Sequence, residues 1–336
     1  MTDVNHQIRL AARPFGLPKE SDWERAETPI PSPGPGELLT RIHYMSVDPA
    51  MRGWMNDRPS YVPPVGIGEV MRALTVGEVI ESNNDGFAPG EFVSGIQGVQ
   101  EYALSDGTDL MKADLSLAPA PAWLNTLGIA GLTAYCGLIE VGQPKTGETV
   151  VVSGAAGSVG SHAGQIAKIK GCRVVGIAGG AEKCAYLTDE LGFDAAVDYK
   201  NQPVGPGLRQ TCPEGIDVFF DNVGGEILDA ALARINPFGR LALCGAISQY
   251  NVTDMPYGLR NAILLVPRRA RMQGFIYFDY RDKWPAMIED LAAWRAERRI
   301  SVRDDIVEGG VQAFPDTLLR LFRGENLGKL MIRIAG

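Results

Sequence analysis

The chain has 336 residues, 45% of them hydrophobic and 8% aromatic, which exceeds one ordinary domain and is ample for burying two cores. A formal charge of -8 argues against a general affinity for nucleic-acid phosphates or an anionic membrane surface. The opening "MTDVNHQIRLAARPFG" lacks the apolar core of a signal peptide, and no 18-residue apolar run occurs, so a cytoplasmic protein is expected. Five cysteines, never spaced C-x-x-C, suit reduced buried thiols, and three histidines (6, 43 and 162) are too scattered for a zinc site; no metal is expected.

In chain order, the first third reads as β-rich. Residues 36–48 ("GELLTRIHYMSVD"), 72–82 ("RALTVGEVIES") and 91–106 ("EFVSGIQGVQEYALSD") are strand-like runs separated by proline and glycine, which suggests a compact barrel or sandwich. Residues 124–142 ("LNTLGIAGLTAYCGLIEVG") read as a helix of small and apolar side chains. From Glu148 strand and helix alternate. Strands are expected at 149–153, 173–178, 195–197, 216–220, 240–244 and 271–276, with helices at 158–170, 181–191, 225–235 and 284–299 and glycine-rich loops near 201–215. Six such strands predict an α/β fold with a doubly wound parallel sheet. The tail "NLGKLMIRIAG" is strand-like but too short for a domain, and it is assigned back to the first lobe.

Between the first of these strands and its helix lies "SGAAGSVGS". Gly154, Gly157 and Gly160 form G-x-x-G-x-x-G, which lets the backbone turn sharply and present the helix N-terminus to a pyrophosphate. The end of the next strand, "VVGIAGGAEK", has no carboxylate at Ala178–Gly180 to accept the ribose hydroxyls of NAD. That opening suits a 2'-phosphate, with Lys183 as its cation, so NADPH is expected over NADH. His162, at the helix start, reads as structural.

The segments "SGAAGSVGSHAGQIAKIKGCRVVGIAGGAEK", "FFDNVGG", "LALCGAISQY" and "GENLGKLMIRI", with "PGPGEL" and "SVDPAMRG" earlier, resemble the zinc-independent medium-chain dehydrogenase/reductases. Within them the chain is most similar to the prostaglandin reductase, alkenal reductase and curcumin reductase family, which reduces α,β-unsaturated ketones and aldehydes with NADPH. The resemblance implies a GroES-like catalytic domain (1–126 and 303–336) interrupted by a Rossmann domain (127–302), and a homodimer. It places Gly157, Ser158, Val159, Gly160 and Ser161 along the pyrophosphate, and Lys183 and Tyr199 at the 2'-phosphate. It places Asn222, the run Cys244, Gly245, Ala246, Ile247, Ser248 and Tyr250, then Phe275, Ile276 and Tyr277, and Asn326 around the nicotinamide and its ribose. Cys244 has no histidine near it in sequence and reads as a small buried residue, not a nucleophile.

Hydride addition to the β-carbon of an enone leaves charge on the carbonyl oxygen. With no metal ligands in the chain, a hydrogen-bond donor must stabilise that enolate, and Tyr250 matches the family tyrosine in this role. One departure concerns "DPAMRG", where Ala50 stands in place of a second tyrosine; Tyr61 or Tyr44 could substitute, or the pocket accepts a medium or large enone. Two other readings stay open from the letters. A quinone reductase of the zeta-crystallin type shares the fold and the glycine turn, and a cofactor-holding structural protein would keep the turn without turnover.

Overall fold

The structure, a computed structural model, describes residues 4–334; residues 1–3 and 335–336, at the ends of the lobe assigned from the sequence, lie outside them. One compact unit holds the described residues up to Gly128 and from Asp304 onward, and a second holds Ile129–Arg303.

The first unit opens with β1 (Val4–Leu10) and β2 (Trp23–Pro29), antiparallel with Leu10 opposite Trp23. The sequence pattern does not signal either strand, because β1 buries the amides of Asn5 and Gln7 alongside Ile8 and Leu10. Asn5 donates to the carbonyl of Tyr102 at 2.9 Å and Gln7 to Oε1 of Gln100 at 2.7 Å, so these polar positions face inward satisfied. There follow β3 (Leu38–Ser46), α1 (Ala50–Trp54), β4 (Leu74–Ser82), β5 (Phe92–Ile96), β6 (Tyr102–Ser105) and β7 (Leu110–Lys112). The run expected at 91–106 splits in two because Gly98 turns the chain at φ 82°.

The helix expected over 124–142 begins only at Ile129. Residues before it form a turn in which Leu127 N–H donates to the Ala122 carbonyl at 2.8 Å. From there α2 (Ile129–Tyr135) continues as a π-helical stretch, Cys136–Gly142.

The second unit alternates β8 (Thr149–Ser153), α3 (Ser158–Ile169), β9 (Arg173–Ala178), α4 (Ala181–Ala185), β10 (Ala195–Asp198), α5 (Val204–Thr211), β11 (Ile216–Asp221), α6 (Gly225–Leu232), β12 (Ile235–Leu243), α7 (Leu265–Arg268), β13 (Arg271–Gly274) and α8 (Trp284–Ala296). All six strands are parallel, in the order β10-β9-β8-β11-β12-β13. The order reverses between β8 and β11, and a doubly wound sheet opens its ligand crevice there, at the carboxyl ends of the strands. Val151, Val175, Ile177, Phe219 and Leu241 are buried in the sheet, with Ile227 and Leu228 of α6 in the same core, as a sheet covered on both faces requires. The segment 201–215 corrects the expectation of loops. Within it Val204–Thr211 fold as α5, because Leu208 is fully buried and Gly207 is small enough to lie against Val197.

The chain then adds β14 (Asp304–Val307), α9 (Phe314–Phe322) and β15 (Lys329–Arg333) to the first unit, whose larger sheet runs β14-β15-β3-β4-β5-β7, with β6 also on β3. Met331 of β15 lies opposite Ser46 of β3, so the tail does join the first sheet. Lys329 is buried there, its ammonium 2.6 Å from Oδ1 of Asp48. Among the described residues no helix is long and apolar enough to cross a membrane.

Candidate cofactor and active site

β8 is buried along its length and ends at Ser153. Gly154 then adopts φ 58°, a conformation that favours glycine. A Cβ on Gly160 would stand 2.4 Å from the Gly154 carbonyl oxygen, so α3 can start this close to the strand only with glycine there. The amides of Ser158, Val159 and Gly160 open the helix, where an α-helix leaves its N–H groups without intrahelical acceptors and concentrates positive potential. Ser161 is different. Its N–H donates to the Gly157 carbonyl at 2.9 Å and its hydroxyl to the Ser158 carbonyl at 2.9 Å, so it shapes the turn from inside. His162 is fully buried with Nδ1 2.7 Å from the same Ser158 carbonyl, which fits its structural reading.

β9 ends at Ala178, and Gly179 and Gly180 lead from it into α4, which carries Lys183. The Tyr199 ring, 44% exposed, lies against Gly179: an added Cβ there would come within 2.7 Å of its Cζ. Sequence reading missed one neighbour. The carboxylate of Asp198, from β10, accepts hydrogen bonds from the backbone N–H groups of Gly180 (2.8 Å) and Lys200 (3.0 Å) and from Asn201 Nδ2 (2.7 Å). These donors, Gly180 foremost, hold the Asp198 carboxyl below its usual range. The chain's own groups therefore engage this carboxylate at the end of β10.

The central feature lies where β8 meets β11. Asp221 is 1% exposed, and its carboxylate accepts from Ser153 Oγ at 2.6 Å, Val223 N at 3.1 Å and Gly224 N at 3.0 Å. Burial pushes this carboxyl above its usual range, opposed by those hydrogen bonds. Asn222 donates its backbone N–H to Ser153 Oγ at 2.8 Å and its side-chain amide to the Ser153 carbonyl at 2.7 Å. The loop 244–250 hangs from the same turn and ends at Tyr250, whose phenol oxygen accepts the Ala246 N–H at 3.0 Å. Burial, and after it Asp221, pushes the Cys244 thiol up to about 12, which makes it inert as a nucleophile.

The structure brings Gly157–Ser161, Lys183, Tyr199, Asn222 and Cys244–Tyr250 to the carboxyl ends of the strands. Phe275 and Tyr277 follow β13, but each is 8% exposed. Phe275 meets Phe220 edge to face at 6.0 Å, and Tyr277 stacks on Trp284 at 5.2 Å, so these rings pack the fold. Ile276 between them is extended, its carbonyl accepting Asp279 N–H at 3.1 Å. Asn326 belongs to the other unit, before β15, and donates to the Gly328 carbonyl at 3.1 Å. In that unit Ala50 opens α1, and Trp54 at its end donates to the Tyr61 hydroxyl at 3.0 Å. Tyr44 sits on β3 beneath the Arg333 guanidinium, 5.1 Å from its ring centre. Among the described residues no group of three or more His, Cys, Asp or Glu side chains could hold a metal ion.

Comparison with known proteins extends this geometry. The family described as "N-terminal domain of oxidoreductase" matches residues 6–113, and "Zinc-binding dehydrogenase" matches residues 158–293. The chain is 44% identical to the NADPH-dependent curcumin reductase of Escherichia coli (strain K12), over 99% of this chain and 97% of that protein. It is 38% identical to the 2-alkenal reductase (NADP(+)-dependent) of Nicotiana tabacum, over 98% of each. It superposes on the crystal structure of CurA in complex with NADPH from Vibrio vulnificus with a TM-score of 0.93 at 42% identity, over 98% of this chain and 99% of that one.

Proposed function

The chain belongs to the zinc-independent medium-chain dehydrogenase/reductases, and from that premise we propose that it reduces the C=C bond of α,β-unsaturated ketones and aldehydes with NADPH. The observation that carries the reading is the Tyr250 phenol, fixed by the Ala246 N–H in the loop that hangs from the turn after β11. The donor set fits the cofactor. First-turn amides of α3 and the Gly154–Gly160 cradle would hold its pyrophosphate, Lys183 and Tyr199 its 2'-phosphate, and Asn222 with the 244–250 backbone its nicotinamide ribose. Phe275 and Tyr277 would contribute through backbone groups, since their rings are engaged in packing. When bound, NADPH supplies a hydride.

Tyr250 stabilises the developing enolate by donating its phenolic proton in a hydrogen bond to the carbonyl oxygen. The amide that donates to the phenol oxygen strengthens the O–H as a donor. Such a preorganised donor contributes on the order of 3 kcal/mol. The α-carbon takes its proton from water. We assign the GroES-like catalytic domain to residues 1–126 with 303–336 and the Rossmann domain to 127–302, in a cytoplasmic homodimer. Sedimentation of the purified chain checks the dimer.

NADPH oxidation against enones, saturated ketones and quinones tests the reading: saturated products from enones support it, and turnover of quinones alone replaces it with a quinone reductase. Lys183→Ala is expected to weaken NADPH binding about tenfold, the lower end for a charge-assisted contact, with NADH binding unchanged. Equal loss for both cofactors in fluorescence titration would remove Lys183 from the 2'-phosphate.

A further inference from the structure

We infer that Asp221, acting with Ser153, is a positioning residue for Tyr250: the buried pair joins the glycine turn, the 221–225 turn and the Tyr250 loop into one rigid body. This inference rests on the reading of Tyr250 as the enolate donor. The two residues are 68 positions apart in sequence and end adjacent strands, β8 and β11. Each is the polar terminus of an otherwise mostly apolar run, "TVVVS" and "IDVFFD". A carboxylate removed from water at such a place is unfavourable unless its hydrogen bonds are needed.

Those bonds converge on one object. The Ser153 hydroxyl donates to Asp221 and accepts from the Asn222 N–H, so its orientation is fixed from both sides. The other carboxylate contacts hold Val223 and Gly224, with Gly224 at φ 71°. The turn so fixed then presents three carbonyls to the next loop. That of Asp221 accepts Cys244 N–H (2.8 Å) and Gly245 N–H (3.1 Å), that of Asn222 accepts Ile247 N–H (3.2 Å), and that of Val223 accepts Ser248 N–H (3.2 Å). Ser248 Oγ also donates to the Val223 carbonyl at 2.7 Å. Ala246, in the middle of this suspended loop, donates to the Tyr250 phenol. Displacement of the carboxylate therefore moves the carbonyls that carry the loop, and the loop carries the phenol. Asp221 touches no reacting atom in this scheme. It keeps a donor on target, where small misplacements of a catalytic group have large effects on rate.

Two measurements on the full chain test this. In the protein without cofactor, Asp221→Asn and Ser153→Ala are each expected to accelerate amide hydrogen exchange across 244–250 about tenfold, while 173–178 in β9 stays protected. Unchanged protection at 244–250 overturns the inference whatever happens to activity. In the second, kcat for enone reduction is measured across a double-mutant cycle of Asp221→Asn with Tyr250→Phe. A loss of about tenfold when the phenol is present, shrinking to less than about twofold when Tyr250→Phe has already removed it, is the expected coupling. Equal losses in both backgrounds make Asp221 merely structural and overturn the inference. Absence of enone turnover in the unsubstituted protein overturns the functional reading instead, and the exchange measurement then still decides whether Asp221 holds the loop.

Discussion

Tyr250→Phe is expected to lower kcat for enone reduction by about 10²–10³-fold, the loss seen when one preorganised oxyanion donor is removed. The substitution keeps the ring and deletes the hydroxyl. The Ala246 N–H loses its acceptor in the same stroke, which costs about 1 kcal/mol locally and not the fold. NADPH affinity by fluorescence titration should therefore change by no more than about fivefold, so the loss appears in kcat. A variant retaining kcat within about threefold of the parent would remove Tyr250 from the chemistry, since the effect would fall below that of a single useful donor.

The second large effect lies away from the chemistry. Lys329→Ala is expected to destabilise the first unit by about 3–5 kcal/mol, because it leaves the Asp48 carboxylate in a site built for a buried partner. The lysine is 2% exposed and its ammonium is 2.6 Å from Asp48 Oδ1, while Ser46 also donates to that carboxylate. The pair joins the last strand, β15, to the segment after β3, so its loss loosens the packing of β15 on the sheet. The double variant Lys329→Met/Asp48→Asn should recover much of the loss, because neither charge then remains unpaired. Urea denaturation followed by circular dichroism measures both; a single-variant loss under about 1 kcal/mol would show the pair to be solvated in solution.

The second unit was legible in the letters because its strands are Val- and Ile-rich and bounded by glycine. Val150, Val151 and Val152 can hardly be anything but a buried strand, and Gly154 to Gly160 then fix the turn at its end. Legibility failed where tertiary contacts decide. β1 reads as polar because the side-chain amides of Asn5 and Gln7 donate to partners more than 90 residues away. The run from Leu124 looks helical, but the chain turns once before Ile129 because Gly128 can approach the Trp123 carbonyl, where a Cβ would stand 2.0 Å from its oxygen. The glycines and prolines of 201–215 suggest a loop, yet burial of Leu208 and the Gly207–Val197 contact make a helix.

At the site, motif spacing indicated the glycine turn, the missing carboxylate after β9 pointed to Lys183, and the 244–250 run came from the family resemblance. Motif spacing did not indicate Asp221, although the signal was present as a charged residue closing an apolar strand. It also passed over Asp198, which reaches Gly180 only because β10 pairs with β9. Both are cases where adjacency in the sheet, not in sequence, gives the carboxylate its partners.

The most direct measurement uses NADPH carrying deuterium at C4 of the nicotinamide, with a simple aryl enone, and locates the label in the product by mass spectrometry and NMR. Deuterium on the β-carbon of a saturated ketone is the predicted result. Deuterium on the carbonyl carbon of an allylic alcohol would contradict it, since the hydride would then have been delivered to C=O and Tyr250 would have no enolate to stabilise.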